Sequence, residues 1–479
     1  MNTLRRLAIR THRVLAWPAA VALLMFIVSG LCHPLMVWTG PRAAAFFAPQ
    51  IEADGALLAA AQRVIAEGRV PAGGLIKLVP GPGGALIQQS DMEGGQRRYV
   101  DPASGNAMPD QDRLQAIWLA RYYAGDQGAP LASVSYRDSF DTEYPAVNRL
   151  LPVWRIAFAR TDGLRVWVHT ETGELASISN RWKDGLQSVF QWLHTQKGLE
   201  GMPWLRFLVM NVLMGVLLVF ALAGTLQVLL LPRRRIPRAA RRWHRWLALA
   251  LYVPLLGILL SGFHHLWFTE LDTSIPGQRL VLDVDTSRPL IMPETAAGSR
   301  FDRMALVQTR NGHRYWRLGI PGGTQGHAIT RAHHFDGAAA ERGARYLPAD
   351  SYAPSLSDED YAMDLARRVL GDAVPVIALE PVTKFGPDYD FRNKRLPVWR
   401  LRVAGESLFV DTASGVLVER VGTARRLEAL DFGVLHKWNP LAALVGRAGR
   451  DVLVGLFLAS LLTLMMLGLV VRRGRADPA

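Results

Sequence analysis

Four stretches of this chain are long enough to cross a bilayer yet hold no Lys, Arg, Asp or Glu: Val14–Trp38, Phe207–Leu231, Trp246–Phe268 and Val452–Val471. At ~1.5 Å of rise per residue, each covers the roughly 30 Å of hydrocarbon in a bilayer. Backbone in lipid has no water to bond, so each run must close its own hydrogen bonds as a helix. The expectation is an all-α bundle of four transmembrane helices. Arg5, Arg6, Arg10 and Arg13 precede the first run as they would in a signal peptide. That run is too long for one, and no small-residue cleavage site follows it. Cys32 comes after Ser29-Gly30-Leu31, and a Leu beside the Cys argues against a lipoprotein site, so the segment reads as a retained helix.

Arginines orient the spans. Four precede the first run, seven (Arg233, Arg234, Arg235, Arg238, Arg241, Arg242, Arg245) separate the second from the third, and three (Arg472, Arg473, Arg475) follow the fourth. By the positive-inside rule these segments are cytoplasmic, which puts both termini inside and the long segments outside. Elsewhere acidic and basic residues nearly balance, so the net charge of +14 is a topology signal and implies no nucleic-acid partner. The single cysteine excludes intrachain disulfides and thiolate clusters, leaving metal chemistry to His or carboxylates. The resulting map has a cytoplasmic N-terminus (1–13), spans at 14–38, 204–231, 246–268 and 451–471, a basic loop (232–245) and a cytoplasmic tail (472–479). Two extracytoplasmic domains fill 39–203 and 269–450.

Internal repetition organises the rest. Thr11-His12-Arg13 opens the first span as Trp243-His244-Arg245 opens the third. Ser29-Gly30-Leu31-Cys32-His33 closes the first at the same offset as Ser261-Gly262-Phe263-His264-His265 closes the third. Tyr144, Asn148 and Leu151-Pro152-Val153-Trp154-Arg155 recur, at a second constant offset, as Tyr389, Asn393 and Leu396-Pro397-Val398-Trp399-Arg400. Val168–Leu175 then matches Val410–Leu417, and nineteen residues after each leucine comes a histidine, His194 and His436. The chain therefore reads as two repeated halves.

Each extracytoplasmic domain reads as α+β. Apolar residues at helical spacing mark Asp358–Leu370 and its counterpart Arg113–Tyr123. Leu396–Val403 and Leu408–Val410 alternate as half-buried strands, with a turn at Thr412-Ala413-Ser414-Gly415 before Val416-Leu417-Val418. The first domain has an earlier helix and strand at Ala53–Glu67 and Gly74–Val79. The second carries 271–349, rich in Gly and Arg, as an insertion without clear periodicity.

These residues carry a resemblance. His-Arg at the start of a span, Ser-Gly near its end, a Leu-Pro-Val-aromatic strand, a Thr/Ser-Gly-x-Leu turn and a Leu-His before the next span resemble the PepSY-associated transmembrane family. The match covers both halves apart from 271–349. It departs from the commoner pattern after Leu-His, where Thr195-Gln196-Lys197-Gly198 and Lys437-Trp438-Asn439 follow. The resemblance implies PepSY-like extracytoplasmic domains and a haem protein of the bacterial inner membrane, linked to iron uptake and the reduction of ferric siderophores.

Seven of the twelve histidines stand at or near span ends: His12, His33, His194, His244, His264, His265 and His436. One such histidine alone is ordinarily an interfacial polar residue. Here His12 and His33 are 21 residues apart, ~31 Å of rise with a net rotation of about 60°, so one face carries an imidazole at both ends. His244 and His265 repeat this. Two such helices present histidine pairs at both surfaces, as a bundle gripping a planar cofactor does. With the family resemblance, the expected cofactor is haem b, two per chain. His12 and His244 are expected to share an inner haem. His33, His265, His194 and His436 are candidates for the outer site, paired across the halves or within each half. No Cys cluster, His-Glu-x-x-His or carboxylate accompanies these histidines in the sequence, so zinc or di-iron chemistry lacks ligands. His313, His327, His333 and His334 read as surface residues, His169 as an exposed strand position, and Trp154 and Trp399 as core aromatics.

Two functions fit. One is an electron conduit from a quinol or a cytoplasmic reductase to an extracytoplasmic ferric chelate or siderophore. The other is a non-enzymatic anchor in the lipid membrane whose outer domains restrain a protease or uptake partner. No Gly-x-Gly-x-x-Gly or phosphate loop is present, so the reductant comes from elsewhere. The spans lack the buried acids of a proton-coupled transporter.

Overall fold

The computed structural model describes all residues except Met1, Phe46, Ala72, 92–94, 231–238, 272–276, 322–340, Pro387 and 474–479. Arg233, Arg234, Arg235, Arg238, Arg475, His327, His333 and His334 lie outside the described residues. The chain forms two compact units: 1–40 with 182–272 and 424–479, and 41–181 with 273–423.

The first unit is helical. Its long helices are α1 (Asn2–Thr39), α5 (Pro203–Leu230), α6 (Ala239–Leu271) and α9 (Asn439–Arg473), and all four are long and apolar enough to cross a membrane. The helices overrun the apolar runs because their arginine-rich ends remain helical: hydropathy marks hydrocarbon thickness, and a helix can continue past it. They pack in the cyclic order α1, α5, α6, α9. Ala19 and Ala22 meet Leu217 and Leu259 on one side of this ring, and Ile27 meets Phe457 and Leu461 on another. The Ser-Gly pairs are close-packing points. Ser29 and Ser261 are buried, and a Cβ on Gly262 would come within 2.9 Å of Met214 Cε. Two shorter helices complete the unit, α4 (Arg181–His194) and α8 (Thr423–Asp431), the latter running into a π-helical turn, Phe432–His436.

The second unit holds helices α2 (Gly55–Ala66), α3 (Gln111–Ala124) and α7 (Asp358–Leu370). Ser357 and Asp360 form a capping box at the start of α7, which explains why its boundary is sharp in the sequence. Strands β5 (Leu131–Arg137), β6 (Val153–Phe158), β7 (Arg165–His169) and β8 (Glu174–Ser179) form an antiparallel sheet in that order. Strands β14 (Ala378–Val382), β15 (Val398–Val403), β16 (Glu406–Asp411) and β17 (Val416–Gly422) form another, joined at its edge by β9 (Gln278–Arg279).

The third sheet corrects the expected division. Strands β2 (Leu75–Gly81), β3 (Gly84–Ser90) and β4 (Arg98–Val100) come from the first half. Strands β11 (Met304–Gln308), β12 (Arg314–Pro321) and β13 (Glu341–Pro348) come from the second. They make one six-stranded sheet in the order β13-β12-β11-β2-β3-β4, with Leu78 opposite Met304 and Ile76 opposite Leu306. A short pair, β1 (Ile51–Glu52) with β10 (Arg300–Phe301), also joins the halves. Residues 41–181 and 273–423 are thus one compact unit with a shared core, not the separate domains 39–203 and 269–450, and 271–349 supplies three of the six strands of this sheet and is not an appendage. Its periodicity is faint because both faces are covered: Leu306, Trp316 and Leu318 pack on one side, Ala305, Val307 and Tyr315 on the other.

The recurring sequence motifs have paired roles. Asp112 accepts from Tyr99 Oη at 3.1 Å and Trp154 Nε1 at 2.7 Å; Asp358 accepts from Tyr346 Oη at 2.7 Å and Trp399 Nε1 at 2.7 Å. Tyr144 and Tyr389 each donate to a carbonyl six residues on, at 2.8 and 2.9 Å. Arg149 pairs with Glu419 at 3.2 Å and donates to Asn393, while Lys394 donates to Asn148 at 3.2 Å and to the Ala176 carbonyl. Trp154 and Trp399 are core aromatics that also hold a carboxylate.

His169 is not exposed. It is buried at the end of β7, its Nε2 bonded to Arg97 at 3.0 Å and its Nδ1 to Thr172 at 2.9 Å. Burial and the Arg97 charge hold its pKa well below the usual range. Beside it, buried Glu171 meets Arg279 at 2.7 Å, Arg97 at 3.4 Å and Lys77 at 3.8 Å. Lys77 is fully enclosed, and burial outweighs the Glu171 charge, pushing its pKa down to about 7. In the unfolded chain it titrates near the ordinary lysine value of about 10.4. Between those values the unfolded state binds the extra proton, so folding stability rises with pH through that window. We expect the melting temperature of the purified protein to increase from pH 7 to pH 9, and Lys77→Met to flatten that slope in scanning calorimetry.

Candidate functional site

The helical unit gathers the span-end histidines at its two ends. At one end His12 on α1 stacks on Phe220 of α5, with centroids 4.1 Å apart at 11°, and its Nδ1 lies 3.3 Å from the Phe220 carbonyl oxygen. His244 on α6 places Nδ1 3.0 Å from the Leu464 carbonyl oxygen of α9. One turn beyond each carbonyl is a glycine against the imidazole. A Cβ on Gly224 would come 3.3 Å from His12, and one on Gly468 3.1 Å from His244. Glycine is thus what lets each ring lie against the neighbouring helix. His12 and His244 each engage a backbone carbonyl, and the structure does not stack them on each other.

At the other end α4 and the π-turn carry His194 and His436 back against the bundle. Their rings are 6.3 Å apart, centroid to centroid, at 89°. His194 Nδ1 lies 2.9 Å from Ser29 Oγ, and His436 Nδ1 lies 3.2 Å from the Ile258 carbonyl oxygen. Each is stacked by the phenylalanine four residues before it: Phe190 on His194 at 4.7 Å, Phe432 on His436 at 4.5 Å. Burial pushes His194 down to about 3 and His436 to about 4, so both are neutral imidazoles, the form that ligates metal.

His33 and His265 stand behind those phenylalanines. His33 meets Phe190 edge-on at 6.3 Å, and His265 stacks on Phe432 at 3.9 Å. Phe432 therefore packs on both His265 and His436. His265 Nδ1 is 2.5 Å from Glu428, and half-exposed His264 places Nδ1 2.6 Å from Asp431. Carboxylates do accompany two span-end histidines, contrary to the expectation from sequence. They sit on α8, distant in sequence from α6, and hold Nδ1. Among the described residues no group of three or more His, Cys, Asp or Glu could hold a metal ion.

Six of these histidines, His12, His194, His244, His264, His265 and His436, share one arrangement: Nδ1 engaged by an oxygen, with Nε2 taking no part in those bonds. A carbonyl, hydroxyl or carboxylate on Nδ1 sets the tautomer and orientation of a histidine that binds metal through Nε2. A haem iron bound through two axial imidazoles needs only two such groups per site, and these residues fit it. Sequence reading passed over Phe190, Phe432, Phe220, Glu428 and Asp431; only the Phe-x-x-x-His spacing, common to both halves, signals any of them. Compared with known proteins, the chain matches no family model and no curated protein.

Proposed function

We propose that this chain is a haem protein of the bacterial inner membrane that passes electrons to an extracytoplasmic ferric chelate, such as a siderophore. The observation that carries the proposal is the Nδ1-anchored set of imidazoles at both ends of a four-helix unit. His194 and His436, whose rings lie 6.3 Å apart across the halves, would hold the outer haem. Phe432 between His265 and His436 argues against pairing within that half. His12 and His244 form the inner site, where Phe220 and the two glycines hold the rings.

Haem, when bound, supplies a reversible one-electron iron couple. A quinol gives up two electrons and two protons, and two ferric chelates each take one electron. The residues around each pair orient the imidazoles and exclude water. The arginine-rich segments are cytoplasmic and residues 41–181 with 273–423 extracytoplasmic, by the positive-inside rule. We read the two halves as PepSY-associated repeats on the motifs they share. The visible spectrum of the purified protein tests the reading. Reduced bis-histidine Soret and α bands, bleached by adding a ferric chelate, are expected; a colourless preparation would sink it and favour the membrane anchor.

A further inference from the structure

The two halves hold the outer histidines by different hydrogen bonds. In the second half His436 Nδ1 meets the Ile258 carbonyl oxygen directly, at 3.2 Å. Ser261, three residues on in α6, donates to the carbonyls of Gly257 at 2.7 Å and Ile258 at 3.2 Å, so its hydroxyl stays on its own helix. In the first half the carbonyl at the equivalent place is that of Phe26, and the equivalent serine is Ser29. Ser29 Oγ donates to the Phe26 carbonyl at 3.2 Å, and His194 Nδ1 lies 2.9 Å from that same Oγ. A fully buried hydroxyl therefore stands between the carbonyl and the imidazole, where the other half has a direct bond. The Phe26 ring also meets His194 edge-on, at 5.5 Å.

We infer that Ser29 relays the Phe26 carbonyl to His194 and is the positioning residue of that ligand, whereas Ser261, its counterpart in the repeat, positions none. This rests on the haem reading above. A hydroxyl has one hydrogen to give. With that hydrogen on the Phe26 carbonyl, Oγ accepts from His194, so Nδ1 carries the hydrogen and Nε2 keeps the lone pair that ligates. A carbonyl only accepts, so His436 has the same tautomer without help from a serine. Donation to the carbonyl polarises the hydroxyl and strengthens it as an acceptor. A bond of this kind from Nδ1 fixes the ring and raises its basicity as a ligand. Without Ser29 the buried Nδ1–H has no acceptor there, and the tautomer with its hydrogen on Nε2, which cannot ligate, gains ground. The opposite polarity, Ser29 donating to Nδ1, would put the hydrogen on Nε2, and removing the hydroxyl would then leave haem retention unchanged or raise it.

The test compares S29A with S261A in full-length protein purified with its haem. Each is equilibrated in detergent with excess apomyoglobin, which captures released haem, and each is titrated potentiometrically, the outer step being the one lost in H194A/H436A. S29A should hold the outer haem about tenfold or more weakly than wild type, the usual effect of losing an outer-shell partner of a ligand. Its outer midpoint potential should also rise, because a less basic imidazole favours ferric iron less, and a packing role alone would not move it. S261A should match wild type in both. An S29A protein that retains its outer haem at the wild-type potential overturns the inference and leaves the haem reading intact. So does equal loss in S29A and S261A with the potential unmoved, which would make both serines packing residues. Wild type without haem fails at the haem reading itself.

Discussion

On the proposed haem reading, replacing His194 and His436 together by Ala is expected to remove about half of the bound haem, because each histidine pair would hold one macrocycle. The remaining α band should be that of the inner site. Reduction of a ferric chelate by dithionite- or quinol-reduced membranes should fall to background, since the outer step of the path is gone. The physical reason is local: both Nε2 atoms belong to neighbouring rings, and Ser29 and the Ile258 carbonyl hold the opposite nitrogens. H12A/H244A should remove the other half and leave the outer band in place. Haem per chain, measured by pyridine haemochrome, decides both. Full haem content in H194A/H436A would reassign the outer ligands to His33 and His265.

The second large effect concerns Glu171. Its carboxylate is buried among Lys77, Arg97 and Arg279. Glu171→Ala leaves those cations enclosed without their shared anion, and removal of one partner from a buried ion pair costs roughly 3–5 kcal/mol. Glu171→Gln keeps the shape but not the charge and should be nearly as costly. Chemical unfolding followed by tryptophan fluorescence reads this directly, since Trp167 is buried in the same unit. A loss below about 1 kcal/mol would show that the cations find water or new partners on relaxation.

Much of this was legible because the relevant physics is local. Asp358–Leu370 is predicted and found at the same bounds, and Leu396–Val403, Leu408–Val410 and Val416–Val418 fall on β15, β16 and β17. Capping, alternation and turn chemistry act over a few residues. The spans are legible for the same reason, since hydrocarbon thickness is read from one uninterrupted run. What escaped depends on partners far away in sequence. His169 reads as exposed because the repeat aligns it with the acidic Asp411, yet Arg97 and Thr172 close over it. The carboxylates on His264 and His265 come from α8, more than a hundred residues downstream. The histidines at span ends were found by spacing; their phenylalanine neighbours were not, because an isolated phenylalanine before a membrane span attracts no notice.

The shared six-stranded sheet has a consequence for biosynthesis. Strand β2 finds its partner in β11, with Leu78 opposite Met304. Roughly 230 residues separate them, so at about 5–20 residues per second β2 is synthesised some ten to fifty seconds before the strand that covers its edge. Two spans must be inserted in that interval. An unpaired strand edge invites foreign strands, so the nascent first half needs shelter until its sibling arrives.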